Sequence, residues 1–162
     1  MSVTVSYKSF ATVAEILETG VPAASDAALT HNGYNTTETL GAATTPPSTK
    51  CAIFEKALSG GAATIDLENM TGTNGAAVVG TGLQVQVAKF RNPSTNAADM
   101  HITFGAANGY DGFGATFDVN LEPGAEMMMF TNDGGAVISA TNSDITIAGA
   151  GVEVLECLLI LG

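Results

Sequence analysis

Residues Gly112–Gly135 read GFGATFDVNLEPGAEMMMFTNDGG. Ala115, Phe117, Val119 and Leu121 alternate with Thr116, Asp118 and Asn120, the period of two that marks a half-buried strand. Pro123-Gly124 follows. Pro sets φ at the first central position of a type II turn, and Gly supplies the positive φ needed at the second. EMMMFTN then alternates as a return strand, with Met127 and Met129 on one side and Met128 on the other. The stretch predicts two strands joined by a hairpin turn, with NDGG turning the chain again, and it contains no nucleophile with a partner.

The same grammar runs outward in both directions. Val3, Val5 and Tyr7 alternate in SVTVSYK, and CAIFEKAL reads as a strand ahead of SGGAATIDLE, where Ala63, Ile65 and Leu67 share a face. LQVQVAKFR alternates at Leu83, Val85 and Val87 and slips at Phe90, which predicts a β-bulge there. DMHITF, AVISATN and DITIAG are three further strand candidates. Gly- and Thr-rich residues 70–82 and GAANGYDGFG read as long loops, and Pro46-Pro47 blocks regular structure after Leu40. Asn32-Gly33 carries the type I′ hairpin signal. One segment changes period. Phe10, Val13, Ala14 and Leu17 lie at helical spacing, Thr12 and Glu15 have capping-box spacing, and Gly20 suits a helix end, so a short helix is predicted over 10–20, with a strand as the competitor.

The chain end, GVEVLECLLILG, is apolar on both faces from Leu158 on. Such a strand is buried on both sides. One face is expected in the core and the other against a neighbouring subunit. About nine or ten strands, with turns every 8–12 residues, predict an all-β fold. The expected architecture is an antiparallel β-sandwich, jelly-roll-like, forming one domain over residues 1–162 with at most one or two short helices.

Composition narrows function. Apolar residues make up 46% of the 162 positions and charged residues 13%, about half the usual share, so much of the surface is expected to be covered by other copies. The net charge is −11, and it is uneven: positions 1–91 hold all five basic residues and balance to −2, while the last 71 balance to −9. No basic patch exists for phosphates, so nucleic acid is not an expected partner. No apolar run approaches the roughly 18 residues of a membrane span, and MSVTVSYKSF lacks the apolar stretch of a signal peptide, so no membrane association and a cytosolic origin are expected. Cys51 and Cys157 have no metal-ligand spacing and read as buried free thiols.

Candidate chemistry is sparse. His31 reads as a loop residue and His101 as outward-facing. Glu122 with Glu126, and Glu153 with Glu156, are the paired carboxylates, without the aromatic platforms usual at glycoside sites. Asn108–Gly112 and Thr131–Gly135 offer oxygen ligands for calcium, but turns favour the same residues. No enzyme activity, cofactor or metal is expected.

From about Gly61 to Gly162 the chain resembles small β-sandwich structural proteins of tailed bacteriophage virions. The matching positions are Ile65, Asp66 and Leu67; Lys89 and Phe90; Asn92 and Pro93; Asn108, Gly109 and Tyr110; and Leu121, Pro123, Gly124 and Glu126. The resemblance implies a non-enzymatic virion subunit of the capsid decoration, head-fibre or tail-associated kind, assembled in a bacterial cytoplasm. Its partners would be copies of itself, as a trimer or higher, and a major capsid or other virion protein. Residues 1–20 are expected to serve docking or subunit contacts. Subunit contacts are expected at Val3, Val5, Met127, Met129, Leu155, Leu159 and Leu161. The alternatives are a glycan- or cell-surface-binding module with a site near Tyr110 and Asp111, and a viral shell protein of another type.

Overall fold

Alternation decides which side chains can share a core; strand register decides where the core lies. The computed structural model describes residues 3–11, 13–17, 27–31, 35–105, 107–131 and 135–162. The chain divides into two compact units, Val5–Thr39 and the remainder, Met1–Thr4 with Leu40–Gly162. The sandwich expected over the whole chain is built by the larger unit alone.

The smaller unit is a two-stranded ribbon. β1 (Val5–Ser9) pairs with β4 (Thr36–Leu40), and β2 (Val13–Leu17) pairs antiparallel with β3 (Ala27–His31). Ser6 Oγ lies 3.0 Å from Thr39 Oγ1, and the Ala11 N–H donates to Asn35 Oδ1 at 2.8 Å. Both pairs therefore follow the same outgoing and returning segments. The helix predicted over 10–20 is replaced by β2, with every residue from Val13 to Leu17 set opposite a residue of β3. A helix this short is marginal in water, and cross-strand pairing outweighs its local signals. Thr12 and Gly20, its predicted ends, lie outside the described residues, as does Asn32-Gly33. β3 and β4, on either side of that dipeptide, belong to different pairs, so they do not form the predicted hairpin. His31 belongs to β3 and not to a loop.

The larger unit holds β5 (Lys50–Ala57), β6 (Ala62–Asp66), a small hairpin of β7 (Met70–Thr71) and β8 (Ala77–Val78), β9 (Val85–Arg91), β10 (Met100–Phe104), β11 (Asp118–Leu121), β12 (Glu126–Phe130), β13 (Asp144–Ala148) and β14 (Val154–Leu161). The only helical turn among the described residues is a 3-10 turn, Asp111–Phe113. Two four-stranded antiparallel sheets form, ordered β12-β9-β14-β5 and β11-β10-β13-β6. Counted along their eight strands, first pairs with last, second with seventh, third with sixth and fourth with fifth. A folded-over ribbon rolled into two layers has that order, and it is the jelly roll.

The core lies between the sheets. Ala52, Phe90, Leu155, Cys157 and Leu159 point inward from one sheet; Ile65, Met100, Ile102, Leu121, Ile145 and Ile147 point inward from the other. Each fully buried aliphatic side chain contributes about 1.5–3 kcal/mol. Phe113 stacks edge-on against Tyr110 at 5.3 Å and Phe90 at 6.5 Å, joining the Asp111–Phe113 turn to the core. The predicted bulge sits elsewhere than Phe90. The register of β14 against β9 shifts between Ile160 and Leu161, opposite Val87 and Val85, and Phe90 stays in the core. A single slip anywhere along β9 exchanges faces, and alternation alone does not locate it.

The Pro123-Gly124 turn is present: Gly124 has φ +87°, and the Ala125 N–H donates to the Glu122 carbonyl at 2.9 Å. It is not a hairpin turn, because β11 and β12 belong to different sheets. It carries the chain from one layer to the other. Asn92, fully buried, holds this crossing. Its side-chain nitrogen donates to the Leu121 carbonyl at 2.8 Å and the Ala98 carbonyl at 3.0 Å. Its backbone exchanges hydrogen bonds with the turn, Gly124 N–H to Asn92 O at 2.8 Å and Asn92 N–H to Ala125 O at 3.0 Å.

Asn92→Ala leaves the Leu121 and Ala98 carbonyls without those donors, and a loss of about 1–3 kcal/mol is expected in urea unfolding. Burial pushes the Cys157 thiol up to about 12, and burial also raises Tyr110. An unfolded thiol ionises near about 8.5. The unfolded chain therefore releases a proton that the fold retains. The stability from Cys157 is complete below that pH and falls as pH rises toward 12. Urea midpoints between pH 7 and 10 are expected to drop more steeply in the native sequence than in Cys157→Ala.

Candidate functional site

The two sheets present unlike outer faces. On the β11-β10-β13-β6 sheet the outward rows run Asn120, His101, Ala148, Ala62 and then Asp118, Thr103, Thr146, Thr64. No large apolar side chain is exposed on these strands among the described residues. His101 does point outward, as predicted, with Nδ1 3.3 Å from Asp118 Oδ1. This face is small, polar and suited to water.

The outer face of the β12-β9-β14-β5 sheet is different. One row crosses it as Met128, Lys89, Leu158, Ile53, and the next as Glu126, Arg91, Glu156, Glu55. Ile53 is 42% exposed and Met128 40%, with Leu158 half-buried between them. Val154 and Ala57 continue the face beyond the charged row. Lys89 Nζ lies 2.9 Å from Glu126 Oε2, and Arg91 Nη1 lies 3.3 Å from Glu156 Oε2. An open groove of about 440 Å³ runs over these side chains, between Ile53, Leu158, Lys89, Arg91, Glu126 and Glu156. All four basic residues of the larger unit, Lys50, Lys56, Lys89 and Arg91, stand on β5 and β9.

This arrangement can hold a protein surface. It offers an apolar row, a row of charge pairs and main-chain geometry fixed by a four-stranded sheet. Each charge pair is exposed and stabilises the monomer by about 1 kcal/mol or less. Exposed apolar area rimmed by polar groups marks a contact site.

The predicted contact residues sit mostly on the other side. Leu155, Leu159 and Leu161 are fully buried in the core, and Met127 packs against it, with Met129 on the same inner side. Val3 is half-buried, and Val5 is half-buried in the ribbon unit. The expectation of one inward and one outward face on β14 is right in kind, but the inward face is the one named. The outward positions are Leu158 and Met128. Nothing in two apolar faces of one strand says which looks inward; pairing with β5 and β9 decides it.

The remaining candidates are occupied by structure. Glu153 accepts the N–H groups of Ala97 at 2.7 Å and Ala98 at 2.9 Å, clamping a turn. Tyr110, predicted as part of a sugar site, is 1% exposed, and its hydroxyl accepts the Val85 N–H at 3.0 Å. It has no free ring face for a sugar. In the Asn108–Gly112 loop the Asn108 carbonyl accepts N–H groups from Ser143 and Asp144 at 2.7 and 2.8 Å. Gly109 leaves no room for a side chain, since a Cβ there would lie 2.2 Å from the Gly105 carbonyl oxygen. Thr131–Gly135 falls mostly outside the described residues. Among the described residues no three His, Cys, Asp or Glu are grouped to hold a metal, and Cys51 and Cys157 are free thiols.

Adjacent leucines test the two faces. Leu159→Asp places a charge in the core and is expected to abolish cooperative unfolding. Leu158→Asp is expected to leave a folded protein within about 1 kcal/mol of the native sequence in urea. Equal losses from both would reverse the assignment.

Comparison with family models, with curated proteins and with solved structures returns no match to this chain.

Proposed function

We propose that this protein is a non-enzymatic structural subunit of a virus particle, of the capsid decoration type found on tailed bacteriophages. It docks through the outer face of the β12-β9-β14-β5 sheet. One observation carries the reading: a single jelly roll has one outer face of Thr, Asn, Ala, His101 and Asp118 with no exposed large apolar side chain, and an opposite face where Ile53, Leu158 and Met128 stand beside paired charges. Such asymmetry suits a building block with an inside and an outside. Jelly rolls serve capsids, lectins and cupins alike, so the fold supports a capsid role only by analogy. The sequence resemblance points the same way. Its turn motifs, Asn92-Pro93 and Pro123-Gly124, are those that route the chain between the layers.

In this reading the polar sheet faces solvent on the particle exterior, and the groove face meets the shell and other copies. The test is co-sedimentation with empty capsids of the parent phage. The native protein is expected to sediment with them, and Leu158→Asp is expected to remain in the supernatant. Capsids that bind neither protein, or both equally, would remove the assignment.

A further inference from the structure

We infer that the open edge of β12 takes a second copy of this chain. The two β12 strands pair antiparallel about a two-fold axis through Met128 and join the β12-β9-β14-β5 sheets of both copies edge to edge. The contact leaves the groove face uncovered, so it does not rest on the docking reading.

The ladder shows where β12 is open. β12 ends its sheet, with β9 on one side. In that pairing the Asn92 N–H donates to the Ala125 carbonyl at 3.0 Å, and the Thr131 N–H donates to the Gln86 carbonyl at 2.9 Å. Main-chain groups alternate in direction along a strand, so Met127 and Met129 bond to β9, while the N–H and carbonyl of Glu126 and Met128 point away from it. No backbone partner meets those groups among the described residues. The side chains agree. β12 is the one strand of the two four-stranded sheets without a fully buried residue. Met127 and Met129 stand on its inner side and are only half-buried.

An open edge is a template for another strand, and proteins guard edges with charge, shortness or cover. The other three edges are guarded. β5 carries Lys50 and Lys56 in register with the inward Leu161 and Leu155, and the β7–β8 hairpin lies against it. β6 is bridged at Ala62 by Ser59 and ends on Asp66. β11 is four residues long and opens with Asp118. β12 reads EMMMF; its single charge, Glu126, stands at one end, 2.9 Å from Lys89 Nζ.

That sequence selects the occupant. Set against itself about Met128, every residue of β12 pairs: Met128 with Met128, Met127 with Met129, and Glu126 with Phe130 of the second copy. Each half-buried inward Met gains an apolar neighbour of its own kind, and no charge opposes a like charge. The two Glu126 side chains are offset by roughly 14 Å along the strands, beyond the Debye length of about 8 Å in physiological salt. Asp118 of β11 lies in the other layer, turned outward beside His101. A chain of net charge −11 can therefore meet itself here without opposing its own charge. The row Ile53, Leu158, Lys89, Met128 then runs on into Met128, Lys89, Leu158 and Ile53 of the second copy, and both groove faces look the same way. The contact is isologous and closes at two subunits.

Light scattering after size exclusion, over a concentration series, tests this on the full chain. The native protein is expected at twice its 16.3 kDa mass. Met128→Lys and Met128→Glu are each expected to be monomers with native circular dichroism, since each sets like charges opposite one another. Mixed, they are expected to recover the doubled mass, because position 128 faces itself. Leu158→Asp is expected to stay dimeric. If a charge variant fails to fold, amide exchange of the native protein serves: the Met128 N–H is expected to be protected at high concentration and to exchange freely on dilution. A native monomer at every concentration, a charge variant that stays dimeric, a mixture that stays monomeric, a monomeric Leu158→Asp, a mass beyond two subunits, or a Met128 N–H that always exchanges freely would each overturn the inference. A monomer whose Met128 N–H is protected only when capsids are added assigns the edge to a strand of the shell and overturns it too. A native monomer that still sediments with capsids leaves the proposed function standing. A native dimer that ignores capsids keeps this contact and removes that function.

Discussion

The pairing of β14 between β5 and β9 is the constraint on which the larger unit depends. All eight of its residues have partners on β5, and Glu156 to Leu161 also face β9. β14 is one of the two inner strands of that sheet, and it joins strands more than sixty residues upstream. Without it β5 loses its sheet partner, and Leu155, Cys157 and Leu159 leave the middle of the core. Contacts this distant cost loop entropy before they return any energy, which sets the expectation of slow folding.

That one strand also divides structure from surface. Its odd positions close the core, and its even positions Glu156 and Leu158 form the middle of the groove face. Lys89 and Arg91 enter from β9, Ile53 and Glu55 from β5, and Glu126 and Met128 from β12. No two of these strands are neighbours in sequence. The face is a product of pairing: Arg91 reaches Glu156 and Lys89 reaches Glu126 because β9 lies between β14 and β12, and Glu55 is the third carboxylate of the row.

The ribbon unit follows a different economy. Two paired strands bury little, and an isolated hairpin is marginal in water. Phe10 is 74% exposed and Val13 56%. Its helical spacing at Phe10, Val13, Ala14 and Leu17 was a local signal with no long-range support, and the antiparallel partner β3 overrode it. The prediction failed where local propensity and pairing disagree; it held at β6, β10, β13 and β14, where alternation and pairing agree.

The sequence alone determined the all-β class, the strands that alternate strictly, the turn at Pro123-Gly124 and the outward direction of His101. Each depends on neighbours a few residues apart, through backbone sterics and a period of two. The same local logic read Met127 and Met129 against Met128 correctly as opposite faces. Only the tertiary structure decided which of those faces is the core, where β9 slips, that the Pro-Gly turn crosses between layers, and that Leu158 rather than Leu159 meets the outside. Those outcomes depend on which distant strand lies alongside. A shift of one residue in register reverses every side chain while leaving the sequence pattern unchanged.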